Sequence, residues 1–422
     1  MDKSQYKPRL IDKRLDFYLA TFPAVVVEGP KWCGKTWTST MHSKSAFMLA
    51  NPSNNFSNRE IARLDVNKAL EGKQPHLVDE WQEIPAIWDA VRYKVDERGE
   101  KGQFILTGSS TPHLKGIMHS GTGRIATLAM HPMSLQESGD SAAAVSIRDV
   151  CDGKDIGVVT VPTPTVEHIA ELVVRGGWPG SMGLSIEQAM SVPREYIDNI
   201  IQIDINRLDG IERDAGKVRK CLRSLARNES TTASTLTIRN DIAEVDDSAL
   251  GVHTVAAYMD AFRRLFLTND TAPFSTFLRS PQRIKQTPKH RFCDPSLAAA
   301  LLDASPRALM KDIRTFGFLF ESLAARDLEI YAESMGARLC HYQDYDGGEI
   351  DAVIQFADGS WSGFEVKLNP GDADEASTRL KKITEKFVRN PPRSLAVVVG
   401  VHGIAHRRND GVYVLPLTAL CA

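Results

Sequence analysis

Short apolar runs alternate with helical spacing over the first third of the chain. AVVVEG (24–29), AFMLA (46–50), HLVDE (76–80) and QFILTGS (103–109) have the length and side-chain character of strands. Between them, GKTWTSTMHS, SNREIARLDVNKALEG and PAIWDAVRYKVDERGE repeat apolar residues three and four apart, the spacing of one helix face. Strand–helix alternation predicts a parallel sheet joined by crossover helices. Strands that are apolar throughout predict a sheet buried on both faces. Residues 1–20 read as a polar, basic lead-in helix. Near 138 the pattern breaks: SGDSAAAVSIRDVCDGKDIGVVTVPTPT is small, polar and proline-containing, and reads as a linker or insertion over 139–165. Residues 166–300 are mostly helical. Residues 301–422 begin with a long helix, IRTFGFLFESLAARDLEIYAESMG, and pass into alternating strands. The expected organisation is therefore an α/β domain over 1–138, the linker, a helical middle and a second α/β domain.

Length agrees with this division, since 422 residues exceed one ordinary core. A formal net charge of −2 means that any nucleic-acid surface has to be local. The six cysteines form no C-x-x-C pair, which argues for reduced thiols and against a zinc site or a disulfide framework. There is no apolar signal region at the start and no run near about 18 apolar residues, so the expectation is a cytoplasmic protein without a membrane span.

The turn after the first strand carries chemistry. Residues 29–36, GPKWCGKT, match G-x-x-x-x-G-K-[ST] at every fixed position. Backbone N–H groups that converge on phosphate need a loop without Cβ atoms at its tight bends, hence Gly29 and Gly34. Lys35 is placed to reach β- and γ-phosphates, and the Thr36 hydroxyl to ligate Mg²⁺. Pro30, Lys31, Trp32, Cys33 and Trp37 complete the predicted nucleotide contacts. Cys33 lies inside the loop, so bound Mg-ATP is expected to shield it from thiol reagents. HLVDE supplies a metal acid, Asp79, and a water-polarising acid, Glu80. QFILTGSS ends in hydroxyls at Thr107, Ser109 and Ser110, which can face a γ-phosphate. Arg124, in GTGRIATLAMHPMSLQE, is a candidate charge stabiliser; a surface ion pair explains it equally well.

VVVEGPKWCGKTWTS, HLVDEWQEIPAIWDAVRYKVDE, QFILTGSS and GRIATLAMHPMSLQE together resemble the AAA-type ATPase domain of prokaryotic proteins with a DUF4143 C-terminal region. GGWPG (176–180) and YIDNIIQIDINRL resemble the start of that region. The resemblance implies a P-loop NTPase domain that uses ATP and Mg²⁺. It also implies a metal acid at Asp79, a catalytic acid at Glu80 and a sensor-like residue at Ser109. Such ATPases often complete their site with a neighbour's arginine, which makes a homo-oligomer one of the implied states.

The distal chain points elsewhere. HTVAAYMDAFRRLFLT (253–268), after an upstream helix pair, resembles the third helix of a winged helix, and RSPQRIKQTPKHRF (279–292) could serve as its basic wing. A packing helix and a solvated loop are the plain alternative. EIDAVI places Asp351 on one strand, and GFEVKL places Glu365 and Lys367 on the same face of the next. An acid opposite E-x-K resembles the PD-(D/E)xK restriction-endonuclease-like core, with Glu321 on the preceding helix as a further acid. Two readings stay open: an ATPase coupled to a nucleic-acid-acting, nuclease-like domain, or a nucleotide-dependent switch that binds a protein or nucleic acid through an inactive nuclease fold. A small-molecule kinase is a weaker third, because no acceptor signature is present.

Overall fold

A computed structural model of the chain describes residues 3–111, 120–245, 250–274 and 287–422. The chain divides into two compact units. The first comprises Met1–Pro132 with two returning segments, Ile203–Glu212 and Ala261–Leu267. The second comprises Met133–Gln202, Arg213–Asp260 and Thr268–Ala422.

The first unit is built on five parallel strands: β1 (Ala24–Glu28), β2 (Ser45–Met48), β3 (His76–Asp79), β4 (Phe104–Gly108) and β5 (Ile125–Ala129), in the order β2-β3-β4-β1-β5. Alternation sends Ala24, Val26, Val78, Phe104 and Leu106 to one face, against Ile87, Val91 and Val95 of the helix Ala86–Arg98. Val25, Val27, Leu77, Ile105 and Leu128 face Leu15 and Leu19 of the helix Ile11–Thr21. Both faces are covered, which is why β1 and β4 are apolar over Ala24–Val27 and Phe104–Leu106.

The second unit includes residues 139–165, expected as a linker or insertion, and these carry two short strands. Their strand β6 (Val145–Ser146) pairs with the last strand of the chain, β15 (Leu420–Cys421). Their strand β7 (Val159–Thr160) ends an eight-stranded sheet. Short polar segments of this kind look like linker in sequence because their partners lie more than 200 residues away.

The middle is helical. Ala215–Arg227, Thr235–Val245 and Val252–Arg264 follow in turn, and β8 (Ala272–Pro273) comes next. Antiparallel bridges join Thr268 to Phe292 and Thr271 to Lys289, and a further bridge joins Thr231 to His290. The long helix Ile313–Ser334 then leads to β9 (Arg338–Gln343), β10 (Glu349–Gln355) and β11 (Trp361–Lys367), a helix Ala373–Thr384, and β12 (Leu395–Val399), β13 (Ile404–Arg407) and β14 (Tyr413–Pro416). The sheet order is β7-β13-β14-β12-β11-β10-β9-β8. β9, β10 and β11 are antiparallel neighbours, and the helix Ala373–Thr384 crosses over so that β12 lies parallel to β11. Cys340, Ile350, Val353 and Trp361 pack on Leu380 and Ile383 of that helix. No helix among the described residues is long and apolar enough to cross a membrane.

Glu229 sits wholly buried where three of these elements meet. Its carboxylate accepts the Phe292 N–H at 3.1 Å and the Ser322 hydroxyl at 2.6 Å. Burial pushes its pKa from 4.5 up to about 8. The folded chain therefore keeps a proton that the unfolded chain releases near 4.5, and this group's contribution to stability falls as pH rises between the two values. Glu229→Gln cannot titrate. The melting temperature of the wild type relative to Glu229→Gln is expected to drop from about pH 5 to about pH 9; a pH-independent difference in calorimetry would show that burial does not control this carboxyl.

Candidate functional site

The loop 29–34 leaves the carboxyl end of β1, which lies between β4 and β5 in the first sheet. Gly29 N–H donates to the Gly108 carbonyl at 3.3 Å, and Met130 N–H donates to the Glu28 carbonyl at 2.7 Å. A Cβ on Gly29 would stand 2.1 Å from the Met130 carbonyl oxygen, so only glycine fits there. Gly34 (φ 109°) adopts a left-handed turn into the helix Lys35–Met41. Arg9, itself buried, clamps the loop from outside. Its guanidinium donates to the carbonyls of Cys33 at 2.7 Å and His131 at 2.9 Å. Lys35 is 5% exposed, and its ammonium donates to the carbonyls of Gly29 (2.9 Å) and Pro30 (2.8 Å), which holds it across the mouth of the loop.

The next two strand ends bring the acids to this edge. Asp79 Oδ1 accepts hydroxyls from Thr36 (2.9 Å) and Thr107 (2.7 Å). Burial raises the Asp79 pKa, the two hydroxyls and Lys35 oppose that shift, and the neighbouring Glu80 adds to it. Glu80 follows in a left-handed conformation (φ 59°), and its N–H donates to Thr107 Oγ1 at 2.9 Å. Its carboxylate accepts the Ser109 hydroxyl at 2.7 Å and an amide N–H of Gln82. Thr107 and Ser109 thus each fix one acid; Ser110 is half-buried beside them. Gln82 was not singled out in the sequence; its position two residues past Glu80 is the one signal that could have found it.

Arg124 and Lys31 depart from expectation. Arg124 lies at the opposite edge of the sheet. It precedes Ile125, which is level with Ala24, the first residue of β1. At about 3.3 Å per residue this is roughly 16 Å from the loop. There its Nε pairs with Asp96 at 2.8 and 3.0 Å, so it is the surface ion pair and not a charge stabiliser of this site. Lys31 points to Asp204 of the returning segment Ile203–Glu212, 2.6 Å away, and not into the loop. Trp32 is exposed at the loop apex, and Trp37 is half-buried on the following helix. The Cys33 side chain is fully buried in the cluster with Val25, Val27 and Leu77, and its Sγ stands 3.5 Å from where a Cβ on Gly29 would lie.

A second constellation lies in the C-terminal sheet. A register shift between Ile350 and Val353 marks an irregularity in β10 around Asp351. Asp351 Oδ2 accepts the Val366 N–H at 2.8 Å and stands 3.9 Å from Lys367 Nζ. Glu365, fully buried, accepts Lys367 Nζ at 2.8 Å and pairs with Arg379, both through Oε1. Glu365 Oε2 has no hydrogen-bond partner among the described residues. Sequence had grouped Glu321 with Asp351, Glu365 and Lys367. The structure brings it in through a fifth residue, Lys289, whose ammonium lies 2.8 Å from Glu321, 2.7 Å from Glu349 and 3.7 Å from Asp351. Burial alone would lower the Lys289 pKa, but Glu321, Asp351 and Glu349 raise it. Burial pushes the Glu321 carboxyl up to about 7 against the pull of Lys289.

This corrects the basic wing. Lys289 and Arg291 are 2% exposed, and Arg291 pairs with Glu329 at 2.9 Å, so neither faces a phosphate backbone. Residues 279–286 of that stretch lie outside the described residues. Glu349 and Arg379 were not singled out in the sequence and Lys289 only as part of the wing, because charges that pair over long sequence distances look the same there as solvated ones.

A parallel sheet with this loop at its carboxyl edge, followed by strand ends bearing Asp79 and Thr107, is the build of a P-loop-like nucleotide-binding domain. Comparison with known proteins agrees for the first domain, since residues 21–139 match the AAA domain model; 166–308 match a domain of unknown function, DUF8612, and 316–420 match another, DUF4143, so GGWPG and YIDNIIQIDINRL lie in the DUF8612 match and not at the start of DUF4143 as expected. The chain is thus an AAA-domain protein of the kind that carries a DUF4143 C-terminal region. Uncharacterized proteins of Mycobacterium tuberculosis and Mycobacterium bovis are each 25% identical over 387 residues, covering 89% of this chain and 77% of theirs. Among solved structures, a Walker-type ATPase of Pyrococcus abyssi aligns at 13% identity over 71% of this chain and 97% of its own, with a TM-score of 0.44. The Hef helicase domain of Pyrococcus furiosus aligns at 11% identity over 95% and 91%, with a TM-score of 0.22. Both structural likenesses are too distant to carry an argument about this chain.

Because Cys33 faces the core, iodoacetamide is expected to leave it unmodified in the native chain, equally with and without Mg-ATP, and to modify it only after unfolding. Peptide mass mapping reads this directly; nucleotide-dependent labelling of Cys33 would contradict the buried orientation.

Proposed function

We propose that the chain is an Mg²⁺-dependent ATP hydrolase whose turnover governs a nucleic-acid-acting, nuclease-like C-terminal region. The observation that carries the ATPase reading is the pairing of two acids with two separate supports. Asp79 is held by Thr36 and Thr107, while Glu80 is held by Ser109 and Gln82. The Thr36 hydroxyl and the Asp79 carboxylate, in contact at the loop mouth, suit Mg²⁺, which when bound would neutralise the β- and γ-phosphate oxygens. The loop N–H groups bind the phosphates, and Lys35 lies where a γ-phosphate would need a positive charge. Glu80 orients the attacking water and accepts its proton as the γ-phosphorus–oxygen bond to ADP breaks. Ser109 and Gln82 fix the carboxylate for that task.

Support for the C-terminal reading is the order helix, three antiparallel strands, crossover helix, parallel strand, with Asp351, Glu365 and Lys367 gathered on it. The order helix, Thr231 bridge, helix, helix, paired strands supports a winged-helix-like middle. On the helix Val252–Arg264, Val255, Tyr258, Met259 and Phe262 are buried while His253, Thr254 and Arg263 are exposed, as a groove-reading helix requires. A second reading, a switch whose nuclease fold does not cut, is favoured by one observation. The acids of that fold are already met by Lys289, Lys367 and Arg379. As they stand, these residues do not fit a divalent cation.

Lys35→Ala is expected to abolish ATP turnover. Glu80→Gln should keep nucleotide affinity while lowering kcat on the order of 10²-fold or more. Phosphate-release kinetics and fluorescent-nucleotide titration separate the two effects; turnover that survives Lys35→Ala would remove the assignment. For the C-terminal region, full-length protein with Mn²⁺ and ATP is expected to shift labelled duplex DNA in anisotropy without cutting supercoiled plasmid. Cleavage that vanishes in Asp351→Ala and Lys367→Ala would select the nuclease over the switch.

A further inference from the structure

The acidic cluster of the C-terminal sheet contains a buried cation supplied by the chain itself. Lys289 is 2% exposed, yet its three ammonium protons face three carboxylates: Glu321 at 2.8 Å, Glu349 at 2.7 Å and Asp351 at 3.7 Å. An ammonium is tolerated at such depth only where carboxylates surround it. The fourth acid, Glu365, is met by Lys367 and Arg379 from the other side. Divalent cations are held by convergent carboxylate oxygens that are free to turn their lone pairs inward. Here Asp351 Oδ2 is committed to the Val366 N–H, and one oxygen each of Glu321 and Glu349 is committed to Lys289. Glu365 Oε2 is buried and without a partner among the described residues. Three cationic groups already standing among these acids make a poor metal site.

We propose that Lys289 is a built-in cation that takes the place of a divalent metal ion in the Glu321–Glu349–Asp351 cluster, so that the nuclease-like domain holds this form without metal. The inference rests on reading that domain as nuclease-like. It adds an occupant and a reason for silence: the ammonium supplies one positive charge among the acids but cannot activate water or polarise a phosphate as a metal does. Lys289 reaches the cluster from the chain segment bridged to Thr271, far in sequence from β11, the strand that carries Glu365 and Lys367. No local sequence rule would therefore place it there.

The test is Mn²⁺ binding to the full-length, nucleotide-free chain, followed by the electron paramagnetic resonance signal of the free ion. Wild type and Asp351→Asn are expected to titrate alike. Lys289→Met should gain one Mn²⁺ site at least tenfold tighter than any in the wild type, and Asp351→Asn in that background should remove it. An Asp351-dependent site in the wild type would overturn the lysine's role while leaving the nuclease-like reading intact, and this comparison does not require Lys289→Met to fold. A folded Lys289→Met chain that gains no site would overturn both, because the acids would then not form a cation site at all.

Discussion

A buried guanidinium organises the second unit. Arg326 lies wholly inside, donating to Asp294 at 2.8 Å and to Asp327 at 2.8 and 3.0 Å. Each acid has a second task. Asp294 accepts the Gly177 N–H at 2.9 Å, and Asp327 accepts the Leu135 N–H at 2.9 Å. One ion triad therefore ties GGWPG, the segment after Pro132, the turn before Pro295 and the long helix Ile313–Ser334. The approach is close enough to dictate composition: a Cβ on Gly177 would stand 2.1 Å from the Met133 carbonyl oxygen. Trp178 closes the corner by donating its indole N–H to Ser296 at 2.9 Å. Removing one member would strand the others in low dielectric, at a cost of about 3–5 kcal/mol. The same helix carries Glu321, so the geometry of the C-terminal acids is inherited from this triad.

The two candidate sites treat their carboxylates in opposite ways. At the phosphate loop, Asp79 and Glu80 are held by neutral donors, the hydroxyls of Thr36, Thr107 and Ser109 and the amide of Gln82. Neutral donors orient an acid without cancelling its charge, so these carboxylates keep their negative field. In the C-terminal sheet the acids are met by ammonium and guanidinium groups. Full charges cancel as well as orient. The contrast follows from residue type alone and gives each site a different electrostatic demand.

Local signals explain what could be read from the sequence. The loop 29–36 is contiguous, and its strand, glycines and lysine announce one another, so the sheet and the carboxyl-edge acids were legible together. Asp351, Glu365 and Lys367 were legible for a similar reason, since a short turn joins their strands. The failures share a cause as well. Arg124 depends on cross-strand register, which places it level with Ala24 rather than Glu28. Lys289 and Arg291 depend on partners 32 and 38 residues away in sequence. Residues 139–165 depend on strands near the C-terminus. Hydropathy reports whether a position wants water; it does not report which distant charge or strand will replace it.

The returning segments have a bearing on how such proteins can be recombined. The AAA match ends at residue 139, yet Ile203–Glu212 and Ala261–Leu267 belong to the same compact unit. Within that unit Asp204 anchors the loop residue Lys31, and Arg264 holds the chain just past β4, its carbonyl accepting the Thr111 N–H at 2.9 Å. The unit is therefore discontinuous in the gene. A cut at the sequence boundary would separate the loop from its own supports, so an exchange of AAA domains between relatives has to carry these middle segments along. Inheritance as one block, rather than as shuffled modules, is the simpler route for a chain wired in this way.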